Sequence, residues 1–216
     1  MKRTEFLILC CFVLLASGLH SQTVDLKKEN LKAVNSFVSL EKLDGEKVIR
    51  VTKDPIIKEF DEPTFVCIKN LDFTNGTIEV KVLSRLLPDA PDFSWGFIGI
   101  AFHINNSYSK FESIYIRPTN GRSDSQVRRN HSIQYIAYPD YKFQRLRKDS
   151  PEMYESYADM GLNEWIQIRI EVQGLNAKLY INNNKQPSLI VNDLMLGDNV
   201  QGAIGLFVDV GTEGFF

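Results

Sequence analysis

Between Phe111 and Tyr135 the sequence gathers Arg117, Asn120, Arg122, Arg128, Arg129, Asn130, His131 and Gln134, with Tyr115 and Tyr135 toward the two ends. Planar, multi-donor groups beside aromatic rings suit a saccharide, which offers hydroxyls in a plane and an apolar face of C–H groups. The paired N–H donors of arginine also suit the carboxylate or sulfate of an anionic sugar chain. Basic residues continue through Lys142, Arg145 and Arg147, interleaved with Tyr138, Tyr141 and Phe143. Proteins that stack single-stranded nucleic acid use a similar mixture, but the net charge of −2 gives no general attraction to a polyanion, and no nucleic-acid partner is expected. The competing account is that individual arginines tie loops together through buried carboxylates and carbonyls.

Glu112 and Glu155 are the carboxylates best placed in sequence to act as an acid or base, with His103 or His131 as partner. A retaining glycosidase needs two carboxyl groups about 5–5.5 Å apart, yet Glu112 stands alone on its segment and Asp61-Glu62 precedes Pro63 in a turn-like stretch. His20, His103 and His131 are too few and too scattered for a histidine zinc cluster. Calcium, held by loop Asp or Asn oxygens, is the one cofactor left open, without assignable ligands. No Gly-x-Ser-x-Gly elbow and no phosphate-binding glycine loop occurs.

Strands must position these groups. Phe37 to Leu43 and Val48 to Thr52 flank Asp44-Gly45, a strong hairpin signal. Ile78, Val80 and Val82 alternate with Glu79 and Lys81, and Ile166, Ile168, Ile170 and Val172 alternate with Gln167, Arg169 and Glu171, as half-buried strands require. Ala177 to Asn182 pairs back across a turn at Gly174, and Ala203 to Val210 adds another strand. No helical segment of comparable strength appears. Many short strands in one domain imply an all-β fold, an antiparallel β-sandwich.

In Phe97 to Ile104 the bulky Ile98, Ile100, Phe102 and Ile104 share one face, leaving Gly99, Ala101 and His103 on the other. Alternation in Phe111 to Arg117 likewise sets Ile114 and Ile116 against Ser113, Tyr115 and Arg117. If the two segments are neighbours, the small side chains leave a shallow groove walled by His103, Tyr115 and Arg117. Trp95 reads equally as sugar platform or core filler, and Trp165 as a packing residue at a sheet edge.

Lys2 and Arg3 precede an apolar run from Phe6 to Leu15 and then Ala16, Ser17 and Gly18, the layout of a secretory signal peptide over residues 1–22. The run is shorter than the roughly 20 residues that span a bilayer, so a secreted or periplasmic protein with no membrane insertion after signal removal is expected. Residues 23–36 form an N-terminal tail or first edge segment, and residues 37–216 the sandwich domain. Cys67 then has no internal disulfide partner, since Cys10 and Cys11 leave with the signal.

Trp95-Gly96-Phe97-Ile98-Gly99-Ile100-Ala101-Phe102, Phe111-Glu112 with Tyr115-Ile116-Arg117-Pro118, Arg129-Asn130-His131 with Gln134-Tyr135, Tyr154-Glu155-Ser156-Tyr157, Glu164-Trp165, Ala177 to Asn182 and Gly211-Thr212-Glu213 resemble secreted bacterial proteins of the concanavalin A-like lectin and glucanase superfamily. The resemblance is close to laminin-G-like domains and to domains named as 3-keto-disaccharide hydrolases, and it runs from about Phe65 to the end. It implies a jelly roll with one concave sheet on which relatives bind or cleave glycans. On that reading the contact set for an oligo- or polysaccharide is His103, Tyr115, Arg117, Arg129, Asn130, His131, Gln134 and Tyr135. The alternatives it carries are a glycoside hydrolase working through Glu112 or Glu155, and a laminin-G-like protein-interaction module. Relatives close with a further strand after a Gly-Thr-Glu segment, so by resemblance a chain stopping at Phe216 lacks that strand or is a fragment.

Overall fold

Period-two alternation of apolar residues yields strands throughout the chain, and their pairing makes two antiparallel seven-stranded sheets. The computed structural model describes residues 23–24 and 27–216; residues 1–22, which carry the expected signal peptide, lie outside the described residues. The strands are β1 (Leu31–Val34), β2 (Ser36–Leu43), β3 (Glu46–Lys53), β4 (Phe65–Phe73), β5 (Gly76–Leu86), β6 (Ile98–Ile104), β7 (Phe111–Ile116), β8 (Ile133–Tyr138), β9 (Glu155–Ser156), β10 (Ile166–Gln173), β11 (Asn176–Ile181), β12 (Leu189–Val191), β13 (Gly202–Val208) and β14 (Thr212–Phe215). The first sheet runs β1-β4-β13-β6-β7-β8-β9 and the second β12-β11-β10-β5-β14-β3-β2. The fold class is all-β, a sandwich. Ile98, Ile100, Phe102, Ile114 and Ile116 of one sheet and Ile166, Ile168, Ile170, Leu179 and Ile181 of the other belong to one continuous buried cluster.

Local chemistry sets the connections. Asp44 (φ 52°) and Gly45 (φ 88°) make the two-residue turn between β2 and β3, both in the left-handed region that such a turn demands. The Gly-Thr-Glu segment does not precede a strand but begins one: β14 lies between β5 and β3 inside the second sheet. Three short helices, α1 (Pro118–Gly121), α2 (Gln126–Asn130) and α3 (Phe143–Asp149), interrupt the basic stretch between β7 and β9. Each is too short to leave a helical period in the sequence.

β6 and β7 are neighbours, as required for the groove, but no groove opens over them. An added Cβ on Gly99 would stand 2.3 Å from the Ile114 carbonyl oxygen and 2.5 Å from Tyr115 Cα. The glycine thus accommodates the adjoining backbone rather than a ligand. Above it Tyr115 stacks on Phe207 at 5.3 Å between centroids and meets Phe97 edge-on at 6.1 Å. Phe60, from the β3–β4 connection, and Phe143 of α3 complete the cover. We expect Gly99→Ala to cost about 1–3 kcal/mol, the range for overpacking a filled site, measurable as a lower urea midpoint. An open groove would tolerate that methyl group.

Candidate functional site

Register decides where His103 points. β13 pairs Ala203 with Ile104 and Gly205 with Ala101, so Phe102 and His103 together oppose a single residue in a β-bulge. His103 takes φ 53° there, and strict alternation with Gly99 and Ala101 is lost. Its imidazole turns instead to Glu112, with Nδ1 2.6 Å from Oε2, while Nε2 lies 3.0 Å from the Thr74 carbonyl. The Tyr135 hydroxyl donates to Glu112 Oε1 at 2.6 Å and accepts from the Met195 N–H at 2.8 Å. Glu112 is 0% and His103 2% exposed, so this acid–imidazole–phenol cluster is an internal polar tie that no substrate reaches. The expectation that His103 walls a groove beside Tyr115 and Arg117 is corrected by the bulge, and Glu112, the expected acid or base, lies buried.

Arg117 follows the structural account. Its guanidinium donates to the His131 carbonyl at 2.9 Å, Glu155 Oε1 at 3.1 Å, the Tyr115 hydroxyl at 3.2 Å and Gln134 Oε1 at 3.1 Å. Phe97, Tyr115 and Phe143 surround it with ring faces. Arg117, Tyr115, Gln134 and Tyr135 are all buried, and of the expected contact set they hold the interior together rather than face solvent. Beside them lies a second polar cluster: Tyr115 donates to Asp61 Oδ1 at 2.8 Å, the Phe143 N–H to Oδ2 at 2.8 Å, and the Asp61 N–H to Asp209 Oδ2 at 2.9 Å. Lys53 pairs with Asp209 at 2.6 Å.

The remaining expected residues converge on the surface. A depression of about 150 Å³ is lined by Asn130, His131, Glu152, Glu155, Ser156 and Tyr157. α2 carries Asn130, its following residue is His131, and β9 supplies Glu155 and Ser156. Ser125 caps the start of α2 by accepting from the Arg128 N–H, and at the other end, which presents these groups, the His131 N–H closes on the Arg128 carbonyl. Arg129 lies over the ring of the 39%-exposed Tyr157 and donates to its hydroxyl at 2.7 Å. Tyr157, Glu152 and Ser156 were missed by the sequence reading, although Tyr157 stands in the quoted Tyr-Glu-Ser-Tyr segment.

Electrostatics limit what this depression can do. Burial pushes the Glu155 carboxyl up, but hydrogen bonds from Arg147 and the charge of Arg117 outweigh it and hold the group below the usual carboxylate range. Arg147 takes both of its oxygens, at 2.9 and 2.5 Å. Burial lowers the His131 imidazole, with Arg147 and Arg117 adding to the effect and Glu155 opposing it, so the ring is neutral at neutral pH. An ionised carboxylate engaged by two arginines is a poor proton acceptor or nucleophile. The arrangement instead offers an aromatic face, a guanidinium, an exposed amide and a neutral imidazole, which together can hold a polyhydroxylated ligand.

Other expected features are accounted for. Trp95 is half-buried with the Arg128 guanidinium over its indole at 4.5 Å. Arg122 is engaged by Asp159 and Glu164, and Arg145 by Asp149. Trp165 is 37% exposed, more open than a packing residue at a sheet edge. Cys67 is buried and unpaired. Among the described residues no group of three or more His, Cys, Asp or Glu side chains is arranged to hold a metal ion, and no helix is long and apolar enough to cross a membrane.

No protein-family model matches the sequence, and no curated protein matches it. Solved structures do resemble the fold. The carbohydrate binding module CBM66 from Bacillus subtilis aligns at TM-score 0.52 and 10% identity, over 85% of this chain and 92% of that one. A Bacillus subtilis protein with a galectin-like fold aligns at TM-score 0.47 and 9% identity, over 87% and 88%. Bacillus licheniformis β-glucanase aligns at 0.38 and 9%, over 88% and 83%. With two stacked antiparallel sheets and this likeness to the module, the chain has the concanavalin A-like, jelly-roll sandwich fold.

Proposed function

We propose that the protein binds carbohydrate, exported beyond the cytoplasm by the leader in residues 1–22, and that the saccharide sits in the depression beside α2 and β9. One observation carries this reading: an exposed ring, Tyr157, stands with Asn130 and His131 around one concavity, and the Arg129 guanidinium lies against that ring. A sugar ring stacks on Tyr157 while the guanidinium, amide and imidazole take its hydroxyls; Arg129 favours a ligand that carries a carboxylate or sulfate. The fold likeness to a carbohydrate binding module supports the ligand class. A glycan-cleaving role has less support, because Glu112 is sealed and both Glu155 oxygens are held by Arg147.

A thermal-shift screen against neutral and acidic oligosaccharides tests the proposal. A ligand at 100 times its Kd adds about 2.7 kcal/mol, a clear rise in Tm. Tyr157→Ala is expected to weaken that ligand about tenfold or more, since burying an aromatic side chain contributes on the order of 1.5–3 kcal/mol. If no glycan raises Tm, or if Tyr157→Ala and Arg129→Ala bind as the wild type does, the assignment to this depression is wrong.

A further inference from the structure

The outer face of the second sheet carries a second concavity, of about 230 Å³, lined by Lys81, Trp165, Gln167, Asn182 and Asn183. It is built by register. Lys81 of β5 is directly opposite Gln167 of β10, so the two side chains share a face. Trp165, two residues before Gln167, projects to the same side. Asn182, just beyond β11, is locked beside Gln167 by a reciprocal pair of hydrogen bonds: its N–H donates to the Gln167 carbonyl and its Oδ1 accepts from the Gln167 N–H, both at 3.0 Å. Asn182 and Asn183 stand at φ 50° and 61°, and the Asn184 N–H closes the turn on the Ile181 carbonyl at 3.0 Å.

What distinguishes this row is that its polar groups are not used by the protein. Farther along the same face Arg169, Glu171 and Tyr180 satisfy one another, with the Arg169 guanidinium over the Tyr180 ring. At the concavity, by contrast, neither the Lys81 ammonium, the Gln167 amide nor the Asn183 amide has a hydrogen bond or ion pair among the described residues. Planar amides and an ammonium on a rigid sheet, beside an indole 37% exposed, match a pyranoside ring: its C–H face covers the indole and its hydroxyls meet the donors.

We infer that this face is a second saccharide-binding site, separate from the one beside β9, with Trp165 as the stacking platform and Lys81, Gln167 and Asn183 as the hydroxyl-binding row. Two tryptophans give two indole N–H signals in a proton–nitrogen NMR spectrum, and Trp165→Phe assigns them. The probes are hexasaccharides of glucose, mannose, xylose, galactose and galacturonate at about 10 mM, at which even a Kd of ~1 mM leaves the site mostly filled. The expected result is a saturating shift of the Trp165 signal with at least one probe, weakened about tenfold by Gln167→Ala and retained in Tyr157→Ala. The galacturonate arm separates recognition of an acidic sugar by Lys81 from recognition of hydroxyls alone. The inference is overturned if the Trp165 signal moves with none of the probes, if Gln167→Ala leaves its titration unchanged, or if Tyr157→Ala abolishes it. The last outcome would assign the effect to the β9 depression, whereas a shift retained without Tyr157 supports this site whatever becomes of that one.

Discussion

Arg117→Ala is expected to destabilise the fold by about 3–5 kcal/mol, the range for removing one partner of a buried charge pair. A domain of this size shifts by roughly 2–4 °C per kcal/mol, so the drop in Tm should be about 6–20 °C. The substitution takes one of two donors from Glu155 Oε1 and from the His131 carbonyl, leaves Gln134 Oε1 with none, and opens a gap between Phe97, Tyr115 and Phe143. Arg117→Lys should recover little, because a point charge cannot reach the four acceptors that the planar fork spans. Arg122→Ala is the contrast: its partners Asp159 and Glu164 lie with it in solvent, its side chain is 56% exposed, and Tm should barely move. Thermal unfolding of the three variants measures this. An Arg117→Ala protein that melts within a degree or two of the Arg122→Ala protein would show that the guanidinium is dispensable to the interior.

The contrast between those two arginines explains how much of the site could be read in the sequence. Composition identified a segment dense in arginine, amide and tyrosine, and part of it does line a surface concavity: Asn130 and His131, with Arg129 on Tyr157 and Glu155 in the wall. Composition could not divide that segment between interior and surface. Arg117 and Arg129 differ only in what the fold brings to them, a ring of buried acceptors in one case and a solvent-facing phenol in the other. Glu155 became the hub of two arginines through β9, a two-residue strand that leaves no periodic signal. His103 was misplaced for a sharper reason. Alternation assigns it to the face of Gly99 and Ala101, and a single extra residue in β6 reverses the assignment; nothing in Phe-His-Ile announces a bulge.

The fold was more legible because its determinants are local and repeated. β10 buries every second residue as its text alternates, β5 half-buries Ile78 and Val80 between exposed neighbours before Val82 enters the core, and the Asp44-Gly45 hairpin forms where the dipeptide stands. What escaped is the covering layer. Residues 54–64 carry no strand pattern, yet they place Phe60 and Asp61 over β7, so a sheet face that seemed open from its small side chains is closed by a connection. Small residues in a strand are ambiguous between space for a ligand and space for neighbouring backbone, and only the cover distinguishes the two.

That cover should be sensitive to pH through Asp61. Burial, then the negative charge of Asp209, push its carboxyl from 3.8 up to about 6, against the pull of the Phe143 N–H, the Tyr115 hydroxyl and Arg117. Because the folded value lies above the unfolded one, the folded chain holds the extra proton between these limits. Stability from this group is therefore greatest below about pH 4 and is lost as pH rises through about 6; the full difference is on the order of 3 kcal/mol at 1.36 kcal/mol per pH unit. Glu155, whose carboxyl is lowered, works in the opposite direction and loses its contribution as pH falls through its folded value, so the wild-type profile alone mixes the two. Asp61→Asn removes one of them. The amide keeps one acceptor for Tyr115 or Phe143 and forfeits the other, a fixed cost of about 1 kcal/mol, but it carries no charge to bury beside Asp209. Measured by urea unfolding, the variant should be slightly less stable than the wild type at about pH 3.5 and more stable at about pH 8, the difference changing sign near about pH 4.5. A difference that stays constant across that range would mean that Asp61 is ionised at no cost inside the fold, with Lys53 and Arg117 compensating both acids, and the connection over β7 would then be held equally at every pH.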